Sequence, residues 1–136
     1  MKSWQILLLF LFVTGAAFAV ALREKLGFEP EEDQAVVRGK ASFYGEAYRG
    51  KRMANGQRFD PAALTCATWD WPLGAWLEVT HNHKRVVVQV TDRGPAFNLH
   101  RVVDLSQGAF DRLADWKLGV INVSVREVAP HLGGAQ

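Results

Sequence analysis

Short apolar runs recur along the chain from Val36 to Val128, and Gly, Pro and Asn residues separate them. Runs of this length, rich in Val, Ile and aromatic residues and bounded by turn residues, are typical of β-strands. Residues 86–90 are nearly all apolar, which is typical of a strand buried on both faces, whereas residues 121–126 alternate and indicate one solvent-facing side. The pattern predicts six strands, at residues 40–44, 64–67, 76–80, 85–91, 101–105 and 120–128.

One helix is predicted among these strands. Ser106 is a natural N-cap, Phe110 and Leu113 follow at i, i+3 spacing, and Gly119 is positioned to end the helix. A sheet in so small a domain has unpaired edges unless it closes on itself. We therefore expect a mainly β fold, a closed six-stranded barrel with one short helix.

The first 37 residues differ in composition from the rest. Lys2 is followed by an apolar run at residues 6–13 and small residues at 15–21, the composition of a secretory signal peptide. An uncleaved membrane anchor is the alternative, because the apolar stretch 6–22 lies near the lower limit of about 17 residues for a spanning helix. We expect a signal peptide or anchor at 1–21, a charged linker at 22–37, a domain at 38–128 and a tail at 129–136. The domain is then expected in the periplasm or secreted.

Composition narrows the possible functions. The chain has 136 residues and a formal net charge of +2 at pH 7, which suits one domain and does not favour a nucleic-acid partner. The lone Cys66 has no partner for an intramolecular disulfide and is expected to be a buried thiol. His81 and His83 lie in a predicted hairpin turn, so neither a metal site nor a cofactor is expected. No motif indicates a second subunit, and we expect a monomer.

Three aspartates are candidates for chemistry. Asp92 follows the most apolar strand, where a carboxylate can be partly desolvated and still reach a ligand, which suits a proton donor. The alternative is that Asp92 only stabilises the turn that follows it. Asp60 is a second carboxylate, close to an Asn-Gly turn. Asp104 lies inside an apolar run and is expected to be structural, with Arg93 or Arg101 as its partner.

Six short sequence blocks follow one another along the expected domain. They are GKASFYG at 39–45, ANGQRFD at 54–60, ALT at 63–65, PLG at 72–74, DRGP at 92–95 and RVVDLS at 101–106. Taken in this order, the blocks resemble the rare lipoprotein A family, whose domain is a double-psi β-barrel with lytic transglycosylase activity on peptidoglycan. The resemblance covers about residues 38–128, nearly all of the expected domain.

The resemblance implies roles for individual residues. Asp92 is implied to be the catalytic acid/base, with Asp60 in the groove beside it. One such residue suffices, because the muramoyl C6 hydroxyl attacks its own anomeric carbon and no water has to be activated. The expected ligand is a peptidoglycan glycan strand, contacted by Tyr44, Asn55, Gln57, Thr68, Trp69 and Arg93.

Sugar binding requires flat apolar faces beside hydrogen-bonding groups. Tyr44 and Trp69 lie in or near the family blocks and are expected to line the groove. Trp71, Trp76 and Trp116 are expected to pack inside the domain.

Two positions depart from the family pattern. Gln57 stands where the family usually has Glu, and Thr68 stands where it usually has His. Both replacements remove an ionisable group that could tune or relay a proton. They favour the alternative function, a non-catalytic wall-binding or wall-loosening module resembling the barrel domain of expansins. A protein-interaction module is a further alternative, although no motif in the sequence supports it.

Overall fold

The computed structural model describes Lys25 and residues 35–133, except the side chains of Asn98 and His131. The expected signal peptide and most of the expected linker lie outside the described residues. The described part of the chain forms six strands, as predicted, with ends that differ from the prediction by a few residues. They are β1 (Val37–Tyr44), β2 (Thr65–Ala67), β3 (Trp76–His81), β4 (Lys84–Asp92), β5 (Val103–Ser106) and β6 (Ile121–Val128).

The strands close into a barrel in the order β1-β5-β2-β4-β3-β6, which confirms the predicted closure. Two neighbouring pairs, β1 with β5 and β2 with β4, are parallel, and the other four pairs are antiparallel. The predicted hairpin turn between β3 and β4 is confirmed, since His81 pairs with Lys84 and only Asn82 and His83 lie between them. Sequential strands are therefore neighbours only in this hairpin, and every other pairing joins distant parts of the chain.

All six strands contribute side chains to the barrel interior, and those from β3, β4, β5 and β6 are mainly Val and Leu. Cys66 lies fully buried among them, as predicted, and burial raises the pKa of its thiol above the ordinary value. β4 is not buried on both faces, because Val87 and Gln89 on its outer side are only half-buried. A closed barrel has one core, so the outer face of each strand is covered only where a loop or helix crosses it.

The described residues also form two short helices, α1 (Gln107–Asp111) and α2 (Pro130–Gly133). Ser106 caps α1 as predicted, because its hydroxyl accepts a hydrogen bond from the Ala109 amide at 3.3 Å. The helix ends at Asp111 rather than near Gly119, since Asp115 begins a separate 3₁₀ turn, Trp116–Leu118, which Gly119 ends. Trp116 is 51% exposed, so its predicted burial is wrong. None of the described helices has the length and hydropathy needed to span a membrane.

Gly108 in α1 allows the helix to lie directly against the loop that precedes β2. Its amide donates to the Pro61 carbonyl at 2.9 Å, and a Cβ placed on Gly108 would lie 2.8 Å from the Ala62 carbonyl oxygen. Both obstructing groups belong to the backbone, which cannot move aside as a side-chain end can. The absence of a side chain at Gly108 therefore fixes how closely the loop packs on the helix.

Gly108→Ala should lower the free energy of unfolding by about 1–3 kcal/mol, through overpacking against the Pro61–Ala62 backbone. In an unobstructed helix the same change stabilises by roughly 0.5–1 kcal/mol, so the sign of the effect is diagnostic. Urea unfolding followed by tryptophan fluorescence measures it. Gly45→Ala is the matched control, because a Cβ at Gly45 would lie 2.7 Å from the carboxamide oxygen of Gln107, the end of a flexible side chain that can move aside, and 3.9 Å from the Phe43 ring. A Gly108→Ala variant as stable as wild type would contradict this account.

Candidate functional site

A cleft of about 400 Å³ opens on the outer face of the barrel, where β4 ends. One side is formed by the end of β1 and the loop that follows it, and the other by the loop between β4 and β5. The residues that matter most for its chemistry are Ser42, Tyr44, Lys51, Arg52, Asp92, Arg93, Pro95, Arg101 and Asp104. The cleft therefore combines acidic, basic and aromatic side chains at one edge of the sheet.

The strand register brings two carboxylates to the same face of the sheet. Asp104 on β5 pairs with Ala67 on β2, and Ala67 pairs on its other side with Asp92 on β4. Directly paired residues project from the same face, so Asp104 and Asp92 flank the small Ala67 side chain. Two strand spacings separate their backbones, roughly 10 Å.

A β-bulge orients the Asp92 side chain. Along β2 and β4, Cys66 pairs with Val90 but Ala67 pairs with Asp92, so the ladder passes over Thr91. If β4 continued without a bulge, its regular alternation would direct Asp92 towards the interior, as it directs Val90. The bulge turns the carboxylate outward and into the cleft.

The Asp92 carboxylate is held by the backbone of two loops. Its Oδ1 atom accepts hydrogen bonds from the amides of Ala54, at 2.9 Å, and Arg93, at 2.8 Å. The Asn55 amide donates to the Thr91 carbonyl at 3.1 Å and ties the same loop to the strand end. Asp92 thus stabilises the turn that follows it, which was the alternative to a chemical role, and it also lines the cleft.

Asp104, which was expected to be structural, also lines the cleft. The Ser42 hydroxyl donates to its Oδ1 atom at 2.7 Å, and Ser42 is its cross-strand neighbour on β1. Burial raises the pKa of Asp104, although the Ser42 hydrogen bond and the nearby Arg101 charge oppose the increase. Arg101 was an expected partner of Asp104, whereas the contact with Ser42 depends on a parallel pairing that local sequence does not reveal.

Tyr44 lies in the cleft. Its ring packs against Phe59, with ring centroids 4.3 Å apart, and meets Tyr48 edge-on at 6.0 Å. Burial raises the pKa of the Tyr44 hydroxyl well above its ordinary value, and the charge of nearby Asp92 contributes. The phenol is therefore a neutral hydrogen-bonding group at any ordinary pH.

Asn55 and Gln57 lie at the exposed tip of the loop tied to Asp92. The Asn55 carboxamide accepts from the Gln57 amide at 3.0 Å and donates to the Gln57 side chain at 3.1 Å. Both side chains are therefore engaged in forming the turn. Both residues belong to the loop that binds Asp92, but neither lines the cleft.

Thr68 and Asp60 were also predicted for the site and do not line the cleft. Thr68 is fully buried, where its hydroxyl donates to the Val102 carbonyl at 3.0 Å and accepts from the Asp70 amide at 3.2 Å. Asp60 is exposed, accepts from the Ala62 amide at 2.9 Å and lies 3.6 Å from the Arg49 guanidinium. The structure does not place Thr68 in contact with the cleft or Asp60 beside Asp92, because each side chain is occupied by its own turn.

Arg93 lines the cleft, but its guanidinium is used for structure. The same nitrogen donates to the carbonyls of Thr68, at 2.9 Å, and Trp71, at 2.6 Å. These bonds join the loop after β2 to the loop after β4. Trp69 lies between Thr68 and Trp71 in the chain. Its indole N–H donates to the Pro95 carbonyl at 2.7 Å, at the rim of the cleft.

Among the described residues, the cationic side chains in the cleft are Lys51, Arg52, Arg93 and Arg101, against the carboxylates of Asp92 and Asp104. The cleft is therefore more basic than acidic. Within the same part of the chain, no group of three or more His, Cys, Asp or Glu side chains is placed to hold a metal ion. His81 instead forms a 2.7 Å hydrogen bond between its Nδ1 atom and the Asn122 carbonyl oxygen.

Comparison with known proteins identifies the family. The sequence profile described as lytic transglycolase matches residues 36–125. A Synechocystis protein, "Probable endolytic peptidoglycan transglycosylase RlpA", is 45% identical over 89 residues, which are 64% of this chain and 27% of that protein. The Neisseria meningitidis protein "Endolytic peptidoglycan transglycosylase RlpA" is 35% identical over 94 residues, 68% of this chain and 39% of its own length. The chain thus spans well under half the length of these relatives.

Solved structures with a similar fold include proteins of other activities. The Streptomyces papain inhibitor is 27% identical with a TM-score of 0.59, over 70% of this chain and 96% of the inhibitor. An expansin from Clavibacter michiganensis is 25% identical with a TM-score of 0.58, over 71% of this chain and 52% of the expansin. The matched profile and the closed six-stranded barrel confirm the resemblance to rare lipoprotein A, and the chain belongs to the lytic transglycolase family of double-psi β-barrels.

Proposed function

We propose that this barrel is an exported peptidoglycan lytic transglycosylase domain, with Asp92 as its catalytic acid/base. The observation that carries the proposal is the position of Asp92, which a bulge turns out of the barrel into an open cleft. The names of the relatives, endolytic peptidoglycan transglycosylases, support the substrate and the bond that is cleaved. The proposal places the domain outside the cytoplasm, in the periplasm or secreted, after export by the signal peptide, and as a monomer.

The proposed reaction needs one proton carrier. Asp92 donates a proton to the glycosidic oxygen as the bond from that oxygen to the muramoyl anomeric carbon breaks. The C6 hydroxyl of the same sugar then attacks the anomeric carbon and gives its proton to the Asp92 carboxylate. The products are a new sugar end and a 1,6-anhydromuramoyl end, and no water is consumed. Because the nucleophile belongs to the substrate, holding the ring in one orientation replaces the positioning of water.

The other cleft residues support this chemistry in different ways. Asp104 keeps its proton to higher pH than an ordinary aspartate, so it limits the negative charge beside Asp92 and can donate a hydrogen bond to a sugar hydroxyl. Lys51, Arg52 and Arg101 suit the carboxylates that peptidoglycan carries on its muramoyl side chains. In this proposal Tyr44 contacts the glycan directly, and Arg93 acts by holding the loops around the cleft.

A non-catalytic wall-binding or wall-loosening module is the second candidate. The observation that favours it is the environment of the two departures from the family pattern. Gln57 is an amide engaged with Asn55, and Thr68 is a buried hydroxyl, so neither brings an ionisable group to the cleft. The likeness to an expansin barrel is consistent with this alternative.

Asp92→Asn should reduce the release of anhydromuramoyl fragments from purified glycan strands by at least about 100-fold, the usual contribution of a general acid/base. Mass spectrometry distinguishes anhydro ends from hydrolysed ends, which are heavier by one water, and digestion in heavy-oxygen water labels only the latter. Asp111→Asn, an exposed aspartate in α1, is the matched control. The mechanism fails if Asp92→Asn releases as many anhydro ends as wild type, or if the products carry the label.

Gln57→Glu restores the ionisable group usual in the family at an exposed turn, and it should change stability by no more than about 0.5 kcal/mol. Under the proposed function, wild type cleaves glycan without this substitution. The measurement is fragment release by wild type and variant, together with binding of each to intact sacculi. If both proteins bind sacculi but only Gln57→Glu releases fragments, the natural protein is a wall-binding module.

Asp104→Asn should change how stability depends on pH. The folded pKa of Asp104 lies above the unfolded value of about 3.9, so the wild-type carboxyl favours folding when protonated. The contribution of the protonated carboxyl to the free energy of unfolding is complete below the unfolded pKa and is lost as pH rises through the folded pKa. The asparagine variant should therefore gain stability relative to wild type between about pH 4 and neutrality, as measured by urea unfolding across that range. A difference between the two proteins that does not change with pH would contradict the assignment.

A further inference from the structure

Two large aromatic side chains form an exposed stack beside the cleft. The rings of Trp69 and Phe97 lie with centroids 4.6 Å apart and planes 23° from parallel. Trp69 is 48% exposed and Phe97 is 75% exposed, although each comes from a different loop. Single exposed apolar side chains are normal on protein surfaces, whereas a contiguous exposed apolar patch commonly marks a binding site.

Hydrogen bonds hold the Trp69 side of the stack in place. The Trp69 indole donates to the Pro95 carbonyl, and the Arg93 guanidinium donates to the carbonyls of Thr68 and Trp71, before and after Trp69 in the chain. These bonds fasten the loop after β2 to the loop after β4. The position of the indole is therefore fixed without a ligand, and a ligand that stacks on it has little ordering cost to overcome.

The stack is continuous with the cleft. Pro95 and Leu99, on either side of Phe97, line the cleft, and Asp92 begins the same loop. At about 400 Å³ the cleft is near the small end of ligand pockets, which run from roughly 300 to 1,000 Å³. A glycan strand is a polymer, so sugars on either side of the cleaved bond must leave the cleft across its rim. A strand that leaves over the loop after β4 meets the Trp69–Phe97 stack.

We propose that Trp69 and Phe97 form a second glycan-binding subsite at the rim of the cleft, which stacks on a sugar ring outside the cleft that holds the bond at Asp92. The identity of the glycan rests on the proposed function, whereas the subsite itself requires only that the cleft binds a sugar polymer. Aromatic faces suit the apolar face of a pyranose ring, and the polar cleft supplies the hydrogen bonds that the stack lacks. The subsite would make affinity depend on the length of the strand.

The test measures binding of soluble peptidoglycan oligosaccharides of increasing length in the Asp92→Asn background, where turnover is blocked. Phe97→Ala should raise Kd for an octasaccharide about 3- to 10-fold and leave Kd for a disaccharide unchanged, because only the longer ligand reaches the stack. Phe97→Trp, which keeps an aromatic face, should restore the octasaccharide affinity. Trp116→Ala is the matched control, since Trp116 is 51% exposed and lies outside the cleft, and it should change neither Kd.

Three results would overturn the subsite. In the first, Phe97→Ala binds the octasaccharide as tightly as the parent does. In the second, Phe97→Ala loses the same factor of affinity for both ligands, which indicates a disturbed cleft. In the third, the parent protein inhibits papain and Phe97→Ala loses that inhibition while its glycan affinity is intact, which assigns the stack to protein binding. Length-dependent binding without any anhydro product from the unmutated protein would instead support the subsite and reject the proposed enzymatic function.

Discussion

The extra residue in β4 opposite Cys66 and Ala67 is the constraint on which the site depends. In a strand every second side chain faces the core, so a shift of one residue exchanges inside for outside. The bulge at Thr91 makes that exchange only for the last residue of β4. Val86, Val88 and Val90 can thus fill the barrel while Asp92 faces the cleft. The same strand stabilises the core and presents the carboxylate, with no charge placed in the interior.

The loops around Asp92 are held in place by the same strand ends. Ala54 and Asn55 donate to Asp92 and Thr91, and Arg93 binds two carbonyls of the loop after β2. Most of these contacts use backbone groups on at least one side, so they depend on the positions of the strands more than on individual side chains. A cleft assembled in this way has a defined shape before any ligand binds, which reduces the ordering cost of binding.

Local patterns in the sequence predicted the strands well, because alternation and β-branched runs report directly on which residues face a core. They also predicted the Ser106 cap and the burial of Cys66. Two contacts could not be predicted, since Ser42 reaches Asp104 through a parallel strand pair and Phe97 reaches Trp69 across two loops. Thr68 and Asp60 show the converse limit: a family motif identifies a position, but the turn that the chain forms there decides where its side chain points.

The buried thiol has a consequence for how the molecule can be studied. Cys66 lies at the centre of β2, fully covered, in an environment that opposes formation of the thiolate. The thiolate is the form that reacts with disulfides and alkylating agents, so a folded molecule is inert to them. Modification becomes possible only when β2 separates from its neighbours, which breaks the barrel open. The rate at which a thiol reagent labels this cysteine therefore reports how often the closed sheet opens in solution.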